Sequence, residues 1–273
     1  MQIASLSRRT ILRAMLAGAA LAVVPAGRGS LAQSGNVDEP TIAAAADLKF
    51  ALEEIAAAFR DETGLSVKLS FGSSGNFARQ IRQGAPFQMY LSADEDYVLD
   101  LARDGFTRDE GTLYAVGRIV LITPHGSTLK PDGSLEDLKA ALADGRVIRF
   151  AIANPEHAPY GRRAEEALRH MGLWEAIRPK LVFGENVSQA AQFATSGNAQ
   201  GGIIAYSLAL APRVSALGSF DLIPESWHSP LRQRMTLLKN AGPVAEQFFD
   251  FVQQPPARAI LREYGFVLPG EES

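Results

Sequence analysis

The chain has 273 residues, 47% of them hydrophobic, and a formal net charge of −3, values that suit a soluble globular protein with one large core or two medium ones. Such a charge offers no electrostatic footing for nucleic acid or an anionic membrane. No cysteine is present, which excludes disulfides, thiolate metal sites and cysteine nucleophiles.

The first segment is basic, Ser7-Arg8-Arg9-Thr10-Ile11-Leu12-Arg13, and runs into the apolar stretch Ala14 to Pro25. That stretch is too short for a comfortable membrane span. The order basic, apolar, small is that of a secretory signal, and the paired arginines after serine resemble the twin-arginine type. Ser30-Leu31-Ala32 offers small residues where a signal peptidase reads, so residues 1–32 are expected to be removed and the mature chain to start at Gln33. Residues 33–40 read as a linker, and the destination as the periplasm.

Strand and helix signals alternate from Thr41 onward. Thr41 to Ala46 is a short apolar run, and Leu48, Leu52, Ile55, Ala56 and Phe59 follow at helical spacing to Gly64. Asp47 stands where a helix N-cap belongs. Leu65 to Phe71 alternates like a strand, Gly72 to Asn76 is a turn, and Phe77 to Gln83 reads as a helix. Phe87 to Leu91 predicts a strand and Asp96 to Asp104 a helix. Leu113 to Ile122 is a longer β-like stretch that leaves the first series. The second series has a strand at Phe150 to Ala153, a turn over Asn154 to Gly161 and a helix to about Met171. A strand at Leu181 to Phe183, a helix from Val187 to Thr195 and a buried strand around Ile203 to Tyr206 follow. Arg232 to Lys239 alternates in part and can return the chain, and Val244 to Gln253 and Pro256 to Tyr264 read as helices. This rhythm predicts an α/β chain with mostly parallel sheet.

Four turns bring small or polar residues to the start of a predicted helix: Ala45-Ala46-Asp47, Ser73-Ser74-Gly75, Pro159-Tyr160-Gly161 and Glu185-Asn186-Val187. A helix N-terminus offers unpaired N–H groups and the positive end of a dipole, which suits an anion. The hydroxyls of Ser73, Ser74 and Tyr160 can add neutral donors, and no lysine or arginine falls in these turns. Ser, Asp and Asn also cap helices everywhere, so each turn alone is better read as local structure.

An enzyme is the reading from another class. Gly72-Ser73-Ser74-Gly75 lacks the spacing of a nucleophile elbow, and the four histidines, His125, His157, His170 and His228, show no metal-ligand spacing. Glu53-Glu54 and Glu165-Glu166 are adjacent on helices and read as solvated surface. No catalytic set emerges.

The ordered set Ala43-Ala44-Ala45-Ala46-Asp47-Leu48, Phe71-Gly72-Ser73-Ser74-Gly75, Ala78-Arg79-Gln80-Ile81, Gly84-Ala85-Pro86, Leu91-Ser92-Ala93-Asp94, Asn154-Pro155-Glu156-His157-Ala158-Pro159-Tyr160-Gly161 and Tyr264-Gly265-Phe266 resembles the periplasmic molybdate-binding protein family from about Thr41 to Leu268. The resemblance implies the two-lobed periplasmic binding protein fold of type II. Each lobe would be a mostly parallel sheet flanked by helices, and two crossing segments would join them. Lobe one would take 41–116 and 238–273, and lobe two 117–237. It further implies a monomeric carrier, without cofactor, that delivers molybdate or tungstate to the membrane permease of an ABC importer. Sulfate or phosphate would be the alternatives on the same fold, phosphate because Asp47 could accept a hydrogen bond from its proton. A ferric site would want clustered tyrosines and carboxylates, for which Tyr160 with Asp47 is too thin a set.

By matched position, Ser74 and Ser73 are expected to donate to the oxyanion, and Val187 through its backbone amide. Tyr160 matches a turn position that is alanine in one branch of the family and tyrosine in another. A strand tyrosine of the first branch falls at Ala205, with Tyr206 offset by one and so turned to the other face. The first-turn position, serine or asparagine in the family, is Asp47 here. The expectation is that its carboxylate caps the following helix and its main chain serves the ligand.

Overall fold

The computed structural model describes residues 39–271, so the expected leader and all but the last two residues of the expected linker lie outside the described residues. In the first series, β1 (Thr41–Ala45), β2 (Lys68–Gly72) and β3 (Met89–Ser92) are each followed by a helix: α1 (Lys49–Thr63), α2 (Ser74–Arg82) and α3 (Glu95–Arg103). A 3₁₀ turn, Ala46–Leu48, lies between β1 and α1. Then come β4 (Thr112–Gly117), β5 (Ile119–Pro124) and α4 (Glu136–Ala143). The second series has β6 (Phe150–Ala153), α5 (Pro159–His170), α6 (Trp174–Ile177), β7 (Leu181–Gly184) and α7 (Val187–Thr195). It continues through β8 (Gly201–Ala205), α8 (Tyr206–Leu210), α9 (Pro212–Ser215) and β9 (Gly218–Leu222). The chain ends in β10 (Leu231–Leu237), α10 (Pro243–Val252) and α11 (Pro255–Glu263).

The strands form two sheets of five, ordered β2-β1-β3-β10-β4 and β7-β6-β8-β5-β9. Each has the same plan. Three parallel strands, β2-β1-β3 or β7-β6-β8, continue into two antiparallel ones. The two-lobed α/β architecture expected from the sequence is the one found. The chain passes from the first sheet to the second at Arg118, between β4 and β5, and returns between β9 and β10. The β-like stretch expected over Leu113 to Ile122 is therefore two strands in two sheets. β10 pairs with β3 and β4, so the first sheet regains the chain at Leu231, ahead of the 237/238 boundary expected from the sequence. The reason is its pairing with β3 and β4 and the burial of Met235 in the first-lobe core.

The interior strand β1 carries helices on both faces, so it is apolar throughout. Ile42 and Ala44 face a core with Leu52, Ile55, Phe59 and Phe248, while Ala43 faces another with Phe77, Ile81, Tyr90 and Leu101. Phe59 stands edge-on to Phe248 and Phe251, with ring centroids 5.2 and 5.4 Å apart. α1 stops at Gly64, whose left-handed φ of 72° lets its N–H bond back to the Arg60 carbonyl. The second lobe has one continuous core, in which Val120, Phe150, Ile152 and Ile204 of its sheet pack with Leu168 and Ile177. No helix among the described residues is long and apolar enough to cross a membrane.

Candidate functional site

Parallel strands deliver their following turns to one edge of a sheet, and open α/β sheets bind ligands beyond the carboxyl ends of those strands. Both lobes do so here, and the two edges face each other. Ala45-Ala46-Asp47 after β1, Gly72-Ser73-Ser74 after β2 and Ala93 after β3 come from the first lobe. Ala158-Pro159-Tyr160 at the start of α5 and Val187 at the start of α7 come from the second. Together they line one small cavity of about 10 Å³, counted as the room open to the centre of a water-sized sphere. A cavity needs roughly 10–15 Å³ by this measure to hold one water, so the site is sized for a very small ligand. All five residues singled out from the sequence, Asp47, Ser73, Ser74, Tyr160 and Val187, are on its wall.

Ser74, Tyr160 and Val187 sit in the first turns of α2, α5 and α7, where amides have no partner within their own helix. The Ser74 hydroxyl accepts the Ala93 N–H at 3.0 Å, which leaves its own proton to give elsewhere. The Ser74 carbonyl is held by the Tyr90 hydroxyl at 2.8 Å. Ser73 Oγ is 2.9 Å from His157 Nδ1, so this hydroxyl is engaged across the cleft. Asn186 caps α7, its side chain accepting the Gln189 N–H at 3.0 Å.

The structure corrects two expectations. Asp47 does not cap α1: neither the 3₁₀ turn nor α1 receives a side-chain cap. Asp47 lies inside the 3₁₀ turn, and two donors from other elements hold its carboxylate. Tyr160 donates to Oδ2 at 3.0 Å and Gln233 Nε2 donates to the same oxygen at 2.7 Å. The Tyr160 phenol therefore gives its proton to Asp47 rather than to the cavity, and its backbone amide is the group left to face a ligand. Gln233 Nε2 is also 3.1 Å from the Tyr160 hydroxyl, and Tyr114 donates to Gln233 Oε1 at 2.7 Å. Ser207 donates to the Asp47 carbonyl at 2.8 Å.

Asp47 is 1% exposed, and burial raises its pKa from 3.8 to about 6. The bonds from Gln233 and Tyr160 and the nearby amides of Asp47 and Leu48 pull the other way without cancelling it. Burial and the adjoining carboxylate push the Tyr160 phenol well above its ordinary range. Asp47 Oδ1 is buried with no hydrogen-bond partner.

Around the cavity the lobes are fastened directly. The Gly75 N–H donates to the His157 carbonyl at 2.9 Å, and Asn76 donates to Glu185. Asp94, which caps α3, forms a buried pair with Arg163 of α5 at 3.2 Å. Arg162 reaches the Tyr97 hydroxyl and lies over its ring. Tyr206 opens α8 and packs on Phe220 at 6.0 Å; it is not on the cavity wall.

Sequence reasoning missed Gln233 and Tyr114. Gln233 had a signal, since it occupies an inward position of an alternating strand between Leu231 and Met235. Tyr114 had none beyond its strand.

Three comparisons place the chain among known proteins. The family model for bacterial extracellular solute-binding proteins matches residues 40–267. The molybdate-binding protein ModA of Rhodobacter capsulatus is 36% identical over 240 residues, covering 87% of this chain and 91% of that protein. Its counterpart in Escherichia coli is 33% identical over 260 residues, covering 93% and 97%. The solved periplasmic molybdate-binding protein of Azotobacter vinelandii superposes with a TM-score of 0.76 at 32% identity, over 85% of this chain and all of that one (100%). The sequence relatives and the shared two-sheet architecture agree with the turns that build the cavity: this chain is a bacterial extracellular solute-binding protein of the molybdate-binding family.

Proposed function

We propose that the protein captures molybdate or tungstate outside the cytoplasm and delivers it to the membrane permease of an ABC importer, acting as a monomeric carrier and not as an enzyme. One observation carries the reading. Helix N-termini from both lobes meet at a cavity lined by Asp47, Ser73, Ser74, Tyr160 and Val187, with no lysine or arginine on its wall. First-turn amides and a hydroxyl proton stabilise a dianion through fixed dipoles. These donors favour a fully deprotonated tetrahedral oxyanion, while a protonated one such as phosphate brings a hydroxyl for which Asp47 is the one side-chain carboxylate on the wall that could accept. Export by the leader at residues 1–32 completes this reading.

Calorimetric titration of the mature protein, starting at Gln33, with molybdate, tungstate, sulfate and phosphate tests it. Molybdate and tungstate are expected to bind at least tenfold tighter than sulfate. Ser74→Ala removes a hydrogen bond to a charged ligand, worth roughly 1.5–3 kcal/mol, and is expected to weaken molybdate by about one to two decades. Equal affinity for sulfate, or a preference for phosphate, would reassign the ligand.

A further inference from the structure

Asp47 is the feature of the cavity that an anion site should not contain. A carboxylate beside a bound dianion in a water-poor cavity is strongly repelled. The two oxygens of this carboxyl are in different situations. Oδ2 is saturated by two donors, the Tyr160 hydroxyl and Gln233 Nε2, from opposite lobes. Oδ1 is buried without a hydrogen bond, on a residue that lines the cavity. A proton on this group has one reasonable seat, because Oδ2 already receives two.

We propose that Asp47 holds a proton on Oδ1 in the loaded protein and donates it to the bound oxyanion, so that capture of the ligand takes up one proton from solution. The inference rests on the reading of the cavity as an oxyanion site. In atoms, the Asp47 carboxylate, the free dianion and one solvent proton become a neutral carboxyl hydrogen-bonded to the dianion, with no other bond made or broken. Asp47 becomes a ligand-contacting donor that the protein can switch off by ionisation.

The ionisable groups acting on Asp47 favour this. They are two phenols, Tyr160 on α5 and Tyr114 on β4, both pushed above their ordinary range. β10 adds neutral Gln233. α7 has no ionisable side chain, and α8 offers Ser207 to the main chain while Tyr206 packs on Phe220. Of the lysines nearest in α1 and β2, Lys49 stands over the Phe50 ring and Lys68 is exposed. Among the described residues no cation pairs with Asp47, so nothing holds it ionised when a dianion arrives. Burial already lifts its pKa to about 6, and a neighbouring dianion raises it further.

The test is calorimetric titration of the full mature protein with sodium molybdate and sodium tungstate at pH 5 and pH 8. Buffers of different ionisation enthalpy count the protons exchanged. Uptake near one proton per ligand is expected at pH 8, falling toward zero at pH 5. Affinity is expected to drop about tenfold per pH unit above pH 6. In Asp47→Asn the amide donates without a proton, so uptake should vanish and affinity at pH 8 should exceed that of the parent. The parent's own buffer series decides the matter if the variant folds poorly. Tight binding with no proton uptake at pH 8 would overturn the proposal and leave the ligand reading intact. No binding of either oxyanion by parent or variant would overturn both.

Discussion

A carboxylate buried beside two phenols and an amide affects folding even with no ligand present. Asp47 titrates at 3.8 in a model peptide and at about 6 in the folded protein. A raised folded pKa means that the native state binds the proton more tightly. The resulting stability is fully present below pH 3.8 and is lost as pH rises through about 6. Two pKa units correspond to roughly 3 kcal/mol. Ligand-free Asp47→Asn is therefore expected to be more stable than the parent by up to that amount at pH 8, with the gap closing as pH falls toward 4. Urea unfolding of both proteins across this range measures it, and a gap that does not change with pH would place the carboxylate in water. The residue itself was legible in the sequence, but its role was not. An aspartate before a helical pattern reads as a cap because caps are local, whereas Tyr160 and Gln233 lie 113 and 186 positions away. The placement of Ser74 and Val187 at helix starts was easier, since a helix start is a local feature of the sequence.

At the level of elements, periodicity found the strands and helices whose apolar pattern is long or regular and missed those built by local polar contacts. α4 had no strong apolar face to announce it. Asp132 organises its start, accepting the N–H groups of Ser134, Glu136 and Asp137 at 2.9, 3.1 and 3.2 Å. α2 begins at Ser74 instead of Phe77, because its first turn faces the cavity and carries small polar residues in place of apolar ones. The break between β4 and β5 was invisible for a different reason: both flanks are β-like, and only Gly117-Arg118 marks the crossing. Gly117 is required there by close approach. A Cβ at this position would run into the Tyr160 hydroxyl and come within 2.8 Å of Gln233 Nε2. Gly117→Ala is thus expected to push the phenol off Asp47, lowering the melting temperature and weakening oxyanion binding together. Unchanged values for both would show that the crossing has slack the packing does not suggest.

The whole molecule is two similar sheets whose helix-bearing turns oppose each other; the strand–turn–helix alternation was legible as periodicity, whereas the division into two lobes with converging turns came from the family resemblance. Which strands return to which lobe was less legible: β10 resembles any edge or central strand until its pairing with β3 and β4 is known. The contacts between the lobes lie outside any sequence pattern, for they join residues far apart in the chain. Among them the Arg163–Asp94 pair is buried at 3.2 Å, with Glu166 also held by Arg163 at 2.7 Å. A ligand gripped from both sides favours the closed arrangement only by its differential affinity for it, so contacts that exist only on closure set how long the ligand stays. Removing Arg163 leaves Asp94 only the longer ion pair with Arg162 at 3.8 Å, and weakening a buried pair across an interface raises the dissociation rate more than it lowers the association rate. Arg163→Gln is accordingly expected to release molybdate at least tenfold faster, with the association rate changed less than threefold. Small-angle scattering should show the parent compacting on molybdate addition and the variant requiring more ligand to reach the same dimensions. Stopped-flow displacement of molybdate by tungstate reads the release rate directly. A loss of affinity carried wholly by slower association would mean that the pair shapes the open protein rather than fastening the closed one.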